Sequence, residues 1–181
     1  MGKPETAVLG GGCFWCLEAV YEQMEGVLSV ESGYMGGSAP DPTYQDVCTG
    51  TTGHIEVVEI TFDPAVTSYR DVLEVFFAIH DPTTPDRQGN DAGTQYRSVI
   101  FYESEEQRAI AGEMVRQLDA TGIWRNPVVT EIRPAAVFYR AEDYHQQYFR
   151  TNPRQPYCTF VVAPKLKKFR EKFMNKQKRS A

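Results

Sequence analysis

The sequence predicts an α+β fold in which a mixed sheet and a layer of helices form a two-layer α/β sandwich. The chain has 181 residues, of which 41% are hydrophobic and 24% are charged, and this composition suits one globular domain with a full core. Strand-like and helix-like segments are mixed without the strict βαβ order of a doubly wound sheet. Two long polar segments, 35–53 and 80–95, interrupt them.

The first half of the chain is predicted to contain three strands and two helices. The run 54–62 comes close to an alternation of apolar and polar residues, and Asp63-Pro64 ends it. Ser68 begins a helix, with Asp71 in the position of a capping-box acid. The expected strands are 6–9, 27–34 and 54–62, and the expected helices are 14–24 and 68–79.

The second half is predicted to contain further strands and helices, with an extended stretch near its end. Ser104 begins a helix that ends near Gly122. The run Thr159-Phe160-Val161-Val162 favours a strand. The expected strands are 96–102, 128–132 and 136–139, the expected helices are 142–148 and the segment after 164, and 151–164 is expected to be mostly extended.

The two long segments 35–53 and 80–95 are expected to have a function. Loops of this length are uncommon inside a compact domain unless they are functional or disordered. Their aromatic, acidic and glycine content favours a functional role.

Composition and charge exclude several classes of protein. A net charge of −5 argues against a general nucleic-acid binder, and the basic run 165–179 is expected to be a solvated terminal helix or tail. No apolar stretch approaches the ~20 residues that a membrane-spanning helix needs. Four cysteines without a secretory signal favour thiols in a reducing compartment, so we expect a cytoplasmic protein. We expect a single domain over 1–181, with its core at about 6–165 and a basic helix or tail at 166–181.

Cys13 is the leading candidate nucleophile. It follows Gly11-Gly12 at the start of a predicted helix, where free amide N–H groups and the helix dipole favour the thiolate. Phe14 and Trp15 follow at once, and they are expected to form an apolar wall that could hold a thioether-like group. A role in the core is the alternative for both rings.

Cys16 lies three positions after Cys13, so the two thiols can meet on one face of a helix as in dithiol redox sites. A bare Cys-Xaa-Xaa-Cys spacing is only moderately specific. A structural role for Cys16 therefore remains equally open.

Glu56 is the candidate general acid. A carboxyl that is desolvated near the start of a hydrophobic strand has a raised pKa and keeps its proton near neutral pH. An exposed glutamate at a strand edge is the alternative. His54, two residues earlier, could be a base, a metal ligand or a partner in a structural hydrogen bond.

The long loops supply further polar groups, of which Tyr44, Tyr96 and Asp91 are candidates. The two tyrosines could donate phenolic hydrogen bonds, while His80 and Asp81 belong to the same second loop. Taken one at a time, such residues are more often structural than catalytic. The chain has no phosphate-binding loop, dinucleotide fingerprint or zinc-ligand spacing.

The ordered motifs together resemble the A class of the peptide methionine sulfoxide reductase family over about residues 6–165. The motifs are Gly12-Cys13-Phe14-Trp15, Gly33-Tyr34 with Gly36-Gly37, Pro42-Thr43-Tyr44, Val47-Cys48-Thr49-Gly50, Thr52-Gly53-His54-Ile55-Glu56-Val57-Val58, His80-Asp81-Pro82-Thr83, Arg87-Gln88-Gly89-Asn90-Asp91, Gly93-Thr94-Gln95-Tyr96-Arg97-Ser98, and Phe138-Tyr139 through Tyr144-His145-Gln146. The resemblance implies a ferredoxin-like mixed sheet with long active-site loops.

The resemblance also implies reduction of the S epimer of methionine sulfoxide, in proteins or as the free amino acid. Cys13 would attack the sulfoxide sulfur and become a sulfenic acid, and Glu56 would protonate the oxygen. Tyr44 and Tyr96 would hydrogen-bond that oxygen, and Asp91 would order polar groups and water.

In the same resemblance, Phe14 and Trp15 would hold the substrate methyl group. A protonated Glu56 beside a deprotonated Cys13 is an unusual pair at one pH. Their surroundings must therefore oppose each other, or a proton must move between them when substrate binds.

A second thiol must resolve the sulfenic acid, and two candidates remain. Cys158 lies where the family often carries a resolving cysteine, and Cys16 stands where many relatives have glycine. Cys158 is slightly preferred, while Cys48 is expected to be structural. The resemblance implies no bound cofactor, a thioredoxin-like reductant and a monomer.

Two other functions compete with this interpretation. A thiol-disulfide oxidoreductase could use Cys13 and Cys16 and would need no acid such as Glu56, but the chain lacks the βαβ opening and the cis-proline context of a thioredoxin-like fold. A metal-binding or redox-sensing module could use both thiols with His54.

Overall fold

A computed structural model describes residues 2–179 and contains a six-stranded mixed sheet with a separate two-stranded hairpin. The strands are β1 Glu5–Gly10, β2 Val27–Met35, β3 Ile55–Phe62, β4 Arg87–Gln88, β5 Asp91–Ala92, β6 Val99–Tyr102, β7 Glu131–Pro134 and β8 Tyr139–Arg140. The α-helices are α1 Phe14–Tyr21, α2 Tyr44–Cys48, α3 Tyr69–Ile79, α4 Glu105–Thr121, α5 Tyr148–Thr151 and α6 Ala163–Lys172.

The order of the large sheet is β7-β6-β1-β3-β2-β8. Its four central strands pair antiparallel, and together with α1 and α3 they give the βαββαβ order of a ferredoxin-like unit. At the edges, β7 pairs parallel with β6 and β8 pairs antiparallel with β2. The predicted fold class is confirmed.

The helices cover one face of this sheet. Val58, Ile60 and Phe62 on β3 belong to the same buried cluster as the side chains of the helices, whereas Ile55 and Val57 belong to a smaller cluster without helical residues. Because side chains alternate along a strand, the even-numbered positions of β3 face the helix layer.

Two predicted helix boundaries are confirmed by their caps. Ser68 and Asp71 form a reciprocal capping box at the start of α3. Ser104 accepts a hydrogen bond from the amide of Gln107 at the start of α4, and Gly122 ends that helix in the left-handed conformation with φ 65°.

The predicted strand at 159–162 is wrong, because the segment is helical. A π-helix, Cys158–Val162, leads directly into α6. Cys158, Val162, Leu166 and Phe169 are buried, while Thr159 and other residues between them are exposed, so one helical face packs on the core. This packing overrides the strand preference of the β-branched run.

The helix predicted at 142–148 is also interrupted. A 3₁₀ turn covers Asp143–His145, and Gln147 has a left-handed backbone with φ 54° before α5 begins. The first helix ends at Tyr21 rather than at 24.

The long segments contain short elements that the pattern did not indicate. Helix α2 lies within 35–53, the hairpin β4–β5 lies within 80–95, and a 3₁₀ helix covers Thr94–Tyr96. The predicted strand at 96–102 is consequently shortened to β6, and the two strands after α4 are displaced to β7 and β8.

The buried core continues into the basic end of the chain. Leu166, Phe169 and Phe173 belong to the main cluster, while Lys167, Lys168 and Lys172 between them are exposed. Over residues 2–179, no helix is both long enough and apolar enough to cross a membrane.

Candidate active site

Cys13 lies between the end of β1 and the start of α1, at the N-cap of that helix. Gly12 just before it has φ 91°, and a Cβ at this position would lie 2.7 Å from the side chain of Gln88. The turn therefore requires glycine for its conformation and for space. The Gln88 amide in turn bonds the backbone N–H and C=O of Asp81, so the second long loop is held together where Gln88 packs against Gly12.

The expectation of a lowered pKa for the Cys13 thiol is wrong. Burial raises the pKa of Cys13 well above its ordinary value, and the negative charges of Glu56 and Cys16 add to the rise. The side chain is only 8% exposed, so desolvation outweighs the helix N-terminus. Burial therefore favours the neutral thiol at Cys13.

Glu56 lies on β3 and faces the helix layer. Its Oε1 accepts a hydrogen bond from the backbone amide of Phe14 at 3.2 Å, which places the carboxyl beside the turn that carries Cys13. Burial raises the pKa of Glu56 to about 8, the Phe14 amide opposes the rise, and the charge of Asp91 adds to it. With 1% exposure, Glu56 is not the exposed strand-edge residue of the alternative interpretation.

The two long loops bring Tyr44 and Tyr96 to the same carboxyl. Tyr44 is the first residue of α2, and Tyr96 ends the 3₁₀ helix of the second loop. Burial raises the pKa of both phenols, and the charge of Glu56 contributes to both shifts. The charges of Cys13 and Asp91 also raise the pKa of Tyr96. Both phenols therefore keep their protons and remain hydrogen-bond donors.

Tyr157 is a site residue that the sequence pattern did not indicate. Its hydroxyl donates to Oδ2 of Asp91 at 2.5 Å and lies 4.0 Å from the Cys16 sulfur. The Tyr157 hydroxyl also lowers the pKa of Cys13, against the larger rise caused by burial. The segment was expected to be extended, and nothing in its local pattern directs this side chain to the thiols.

The two candidate resolving thiols, Cys16 and Cys158, are close enough for a charge on one to affect the other. The Cys16 amide donates to the carbonyl oxygen of Cys13 at 3.1 Å, so the two residues form one turn. Burial raises the pKa of Cys16 to about 11, Lys165 opposes the rise, and the nearby Cys158 adds to it. Cys158 is completely buried, whereas Cys48 is exposed at the end of α2.

Phe14 and Trp15 form the expected aromatic surface next to Cys13. Phe14 is 1% exposed and also belongs to the core, so it fits both interpretations. Trp15 is partly buried and stacks on Tyr148 with ring centroids 3.7 Å apart and an interplanar angle of 6°. Its Nε1 donates to Nδ1 of His145 at 3.1 Å.

The other two histidines have structural hydrogen bonds. The Gly37 amide donates to Nδ1 of His54 at 3.0 Å, and His54 Nε2 lies 2.6 Å from the Ala39 carbonyl, so this ring ties the first long loop together. His80 is held between the Phe76 carbonyl and the Ser98 hydroxyl. Among residues 2–179, no group of three or more metal-ligating side chains comes together.

A buried thiol, a carboxyl with a raised pKa and two phenol donors are the groups that a thiol-dependent oxidoreductase could use to reduce a substrate with a polar oxygen atom. Residues 5–178 match the sequence profile of the family described as peptide methionine sulfoxide reductase. The chain belongs to this family.

Individual relatives cover nearly the whole chain. A peptide methionine sulfoxide reductase MsrA of Polynucleobacter asymbioticus is 62% identical over 169 residues, which are 93% of this chain and 89% of the relative. One from Saccharolobus solfataricus is 58% identical over 174 residues, or 96% and 97%. The crystal structure of Mxr1 from Saccharomyces cerevisiae in reduced form superposes with a TM-score of 0.78 at 34% identity and covers 86% of this chain and 90% of that one.

Proposed function

We propose that this protein reduces the S epimer of methionine sulfoxide, in proteins and as the free amino acid, with Cys13 as nucleophile and Glu56 as acid. Reduction of methionine sulfoxide follows from membership in the family. The residue roles rest on one observation above all. A carboxyl with a pKa of about 8 is bonded to the backbone of the turn that carries the thiol.

The first step starts from two neutral groups. Glu56 gives its proton to the sulfoxide oxygen while the Cys13 sulfur bonds to the sulfoxide sulfur, and the thiol proton passes to the Glu56 carboxylate. The substrate S–O bond and the bond between the two sulfurs then break as the hydroxyl transfers to the Cys13 sulfur. Methionine leaves, reduced by two electrons, and Cys13 is a sulfenic acid, oxidised by two.

The surrounding residues orient the substrate. Tyr44 and Tyr96 are protonated phenols next to Glu56, and they support hydrogen bonds to the sulfoxide oxygen. Asp91 raises the pKa of Glu56 and orders polar groups and water. Phe14 and Trp15 provide the apolar surface for the methyl group.

We propose that Cys16 resolves the sulfenic acid, with Cys158 as the alternative. The slight preference of the sequence for Cys158 is reversed because Cys16 shares a hydrogen-bonded turn with Cys13, whereas Cys158 lies on a separate element, the π-helix. Both thiols are buried, so burial does not distinguish them. Attack of the Cys16 sulfur on the Cys13 sulfenic sulfur forms the disulfide and releases water.

A dithiol protein such as thioredoxin then reduces the disulfide by thiol exchange. Mxr1, a member of the same fold, has been crystallised in complex with Trx2, which supports a reductant of this kind. We propose that the protein works as a monomer without a bound cofactor in the cytoplasm, where it repairs oxidised proteins.

The stereochemistry provides a direct test. The reduced protein is incubated with each resolved epimer of a chromophore-labelled methionine sulfoxide and excess dithiothreitol, and the thioether product is quantified. We expect product from the S epimer only. Equal reduction of the two epimers, or of neither, would contradict the proposal.

A simple thiol-disulfide oxidoreductase is less compatible with this site. Such an enzyme needs an accessible thiol with a lowered pKa. Cys13 is buried, and its pKa is raised. Glu56 would have no role in disulfide exchange.

A further inference from the structure

His145 is a buried residue of the site to which the proposed reaction gives no role. It ends the 3₁₀ turn after β8 and is 1% exposed. Its ring centroid lies 5.0 Å from that of Phe14, 5.6 Å from that of Trp15 and 4.6 Å from that of Tyr44. The imidazole therefore touches both rings of the proposed methyl-binding surface and one of the proposed phenol donors.

The bond to Trp15 defines the state of this imidazole. An indole N–H can only donate, so Nδ1 of His145 must accept and the ring proton must lie on Nε2. Burial lowers the pKa of His145, against an opposing effect of Glu142, which favours the neutral ring that this bond needs.

This tautomer leaves a buried donor without a partner. Nε2 of His145 has no hydrogen-bond partner among the described residues and is shielded from solvent. An unsatisfied buried donor is unfavourable, and an apolar ring at this position would avoid that cost. What histidine provides in return is an acceptor at Nδ1 that faces Trp15.

The indole is held from other sides as well. Tyr148 covers one of its faces, and Tyr157 meets it edge-on with centroids 5.7 Å apart. Stacking alone leaves the indole free to slide or turn within its plane, whereas a hydrogen bond at Nε1 defines that last orientation.

We infer that His145 is a positioning residue that fixes the Trp15 indole through Nδ1 and so forms the methyl-binding surface before substrate arrives. This inference rests on the proposed function, because it concerns the pocket for the sulfoxide methyl. His145 acts through Trp15, so its loss should weaken substrate binding more than the chemical step.

Two substitutions distinguish the hydrogen-bond acceptor of His145 from the space that its ring fills. Phenylalanine in His145→Phe fills the same space without an acceptor, whereas the amide oxygen in His145→Asn takes the place of Nδ1 in a smaller side chain. We expect His145→Phe to raise KM about tenfold with kcat changed much less, and His145→Asn to restore KM to within about threefold of wild type. A role in packing alone predicts the reverse order and would overturn the inference.

The hydrogen bond itself can be observed in the indole ¹⁵N–¹H spectrum. The chain has two tryptophans, and a Trp124→Phe background leaves only the Trp15 signal. We expect a downfield Trp15 indole proton in the background protein and in His145→Asn, and an upfield shift in His145→Phe. An indole proton with the same shift in all three proteins would overturn the inference.

Thermal unfolding of each variant accompanies the assay, and His145→Leu replaces His145→Phe if the latter does not fold. The two proposals fail in different ways. A wild-type protein that reduces neither epimer contradicts the proposed function, whereas an active wild type with an unchanged KM in His145→Phe contradicts only the role of His145.

Discussion

The site is assembled from two regions that differ in regularity. Cys13 lies at the junction of β1 and α1, and Glu56 lies on β3, at the centre of the ferredoxin-like unit. His145, Tyr157 and Cys158 come from the segment 141–162, where a 3₁₀ turn, a left-handed residue and a π-helix follow one another. The two regions meet at the first turn of α1, where Glu56 contacts Phe14, His145 contacts Trp15 and Tyr157 lies near Cys16.

The two regions have different proposed roles: the regular first region carries the reacting groups, and the irregular second region positions the groups around them. The reacting atoms are buried on β3 and at the junction of β1 and α1, which suits groups that must keep a precise distance. His145, which orients the pocket, and Cys158, the alternative resolving thiol, lie on irregular backbone, where π-helical turns are common at functional sites. Changes at Cys13 or Glu56 should stop the reductive step, whereas a change at Cys16 should affect regeneration and changes in the second region should affect binding.

The largest effect is expected from Cys13→Ser. A serine hydroxyl cannot take up the sulfoxide oxygen as the Cys13 thiol does when it becomes a sulfenic acid, so release of methionine should be abolished in single-turnover assays. Cys48→Ser is the matched control, because Cys48 is exposed and has no proposed step. Release of methionine by Cys13→Ser would remove this thiol from the mechanism.

Glu56→Gln should lower the single-turnover rate by about 10²–10⁴-fold, because the amide keeps the shape but has no acidic proton. The wild-type rate should also fall as the pH rises through about 8, where Glu56 loses its proton. Glu59→Gln on the opposite face of β3 is the control and should leave the rate unchanged. A rate for Glu56→Gln close to wild type would show that another group protonates the oxygen.

Cys16 in the first region and Cys158 in the second should differ in their effect on regeneration of the Cys13 thiol. Cys16→Ser should still release one equivalent of methionine without reductant, but should then stop as a sulfenic acid and lose turnover with thioredoxin. Cys158→Ser should keep the bridge from Cys13 to Cys16. A dimedone probe that traps the sulfenic acid measures the outcome in both variants. A trapped acid in Cys158→Ser but not in Cys16→Ser would move the resolving role to Cys158 in the second region.

The smallest effect is expected on stability. The pKa of Glu56 is raised on folding, so the folded protein holds this proton more tightly than the unfolded chain. Its contribution to the free energy of unfolding is present in acid and is lost as the pH rises from about 4.5 to about 8. Compared with wild type, Glu56→Gln should gain on the order of a few kcal/mol between pH 5 and pH 9 in urea unfolding. A difference that does not change with pH would contradict the raised pKa.

The first region was accessible to sequence reasoning because its signals are local. The near-alternation along 54–62 predicted a strand with Glu56 near its start, and the glycine turn before a helix marked Cys13. Capping residues such as Ser68 likewise marked a helix start that the structure confirms.

The second region was not accessible, because long-range packing determines its backbone. The β-branched run at 159–162 resembles a strand, yet burial of Cys158 and Val162 winds it into a π-helix. Tyr157 reaches Asp91 only because of that helical path. The direction of the Cys13 pKa also depends on burial, which a motif does not reveal.

The central claim is that Cys13 takes the oxygen from the sulfoxide sulfur, and a single turnover without reductant tests it most directly. Reduced protein receives one equivalent of the S epimer, the released methionine is counted, and the linked peptides are mapped by mass spectrometry. We predict one equivalent of methionine, the loss of two thiols and a Cys13–Cys16 bridge. Methionine released while Cys13 remains a free thiol would contradict the account.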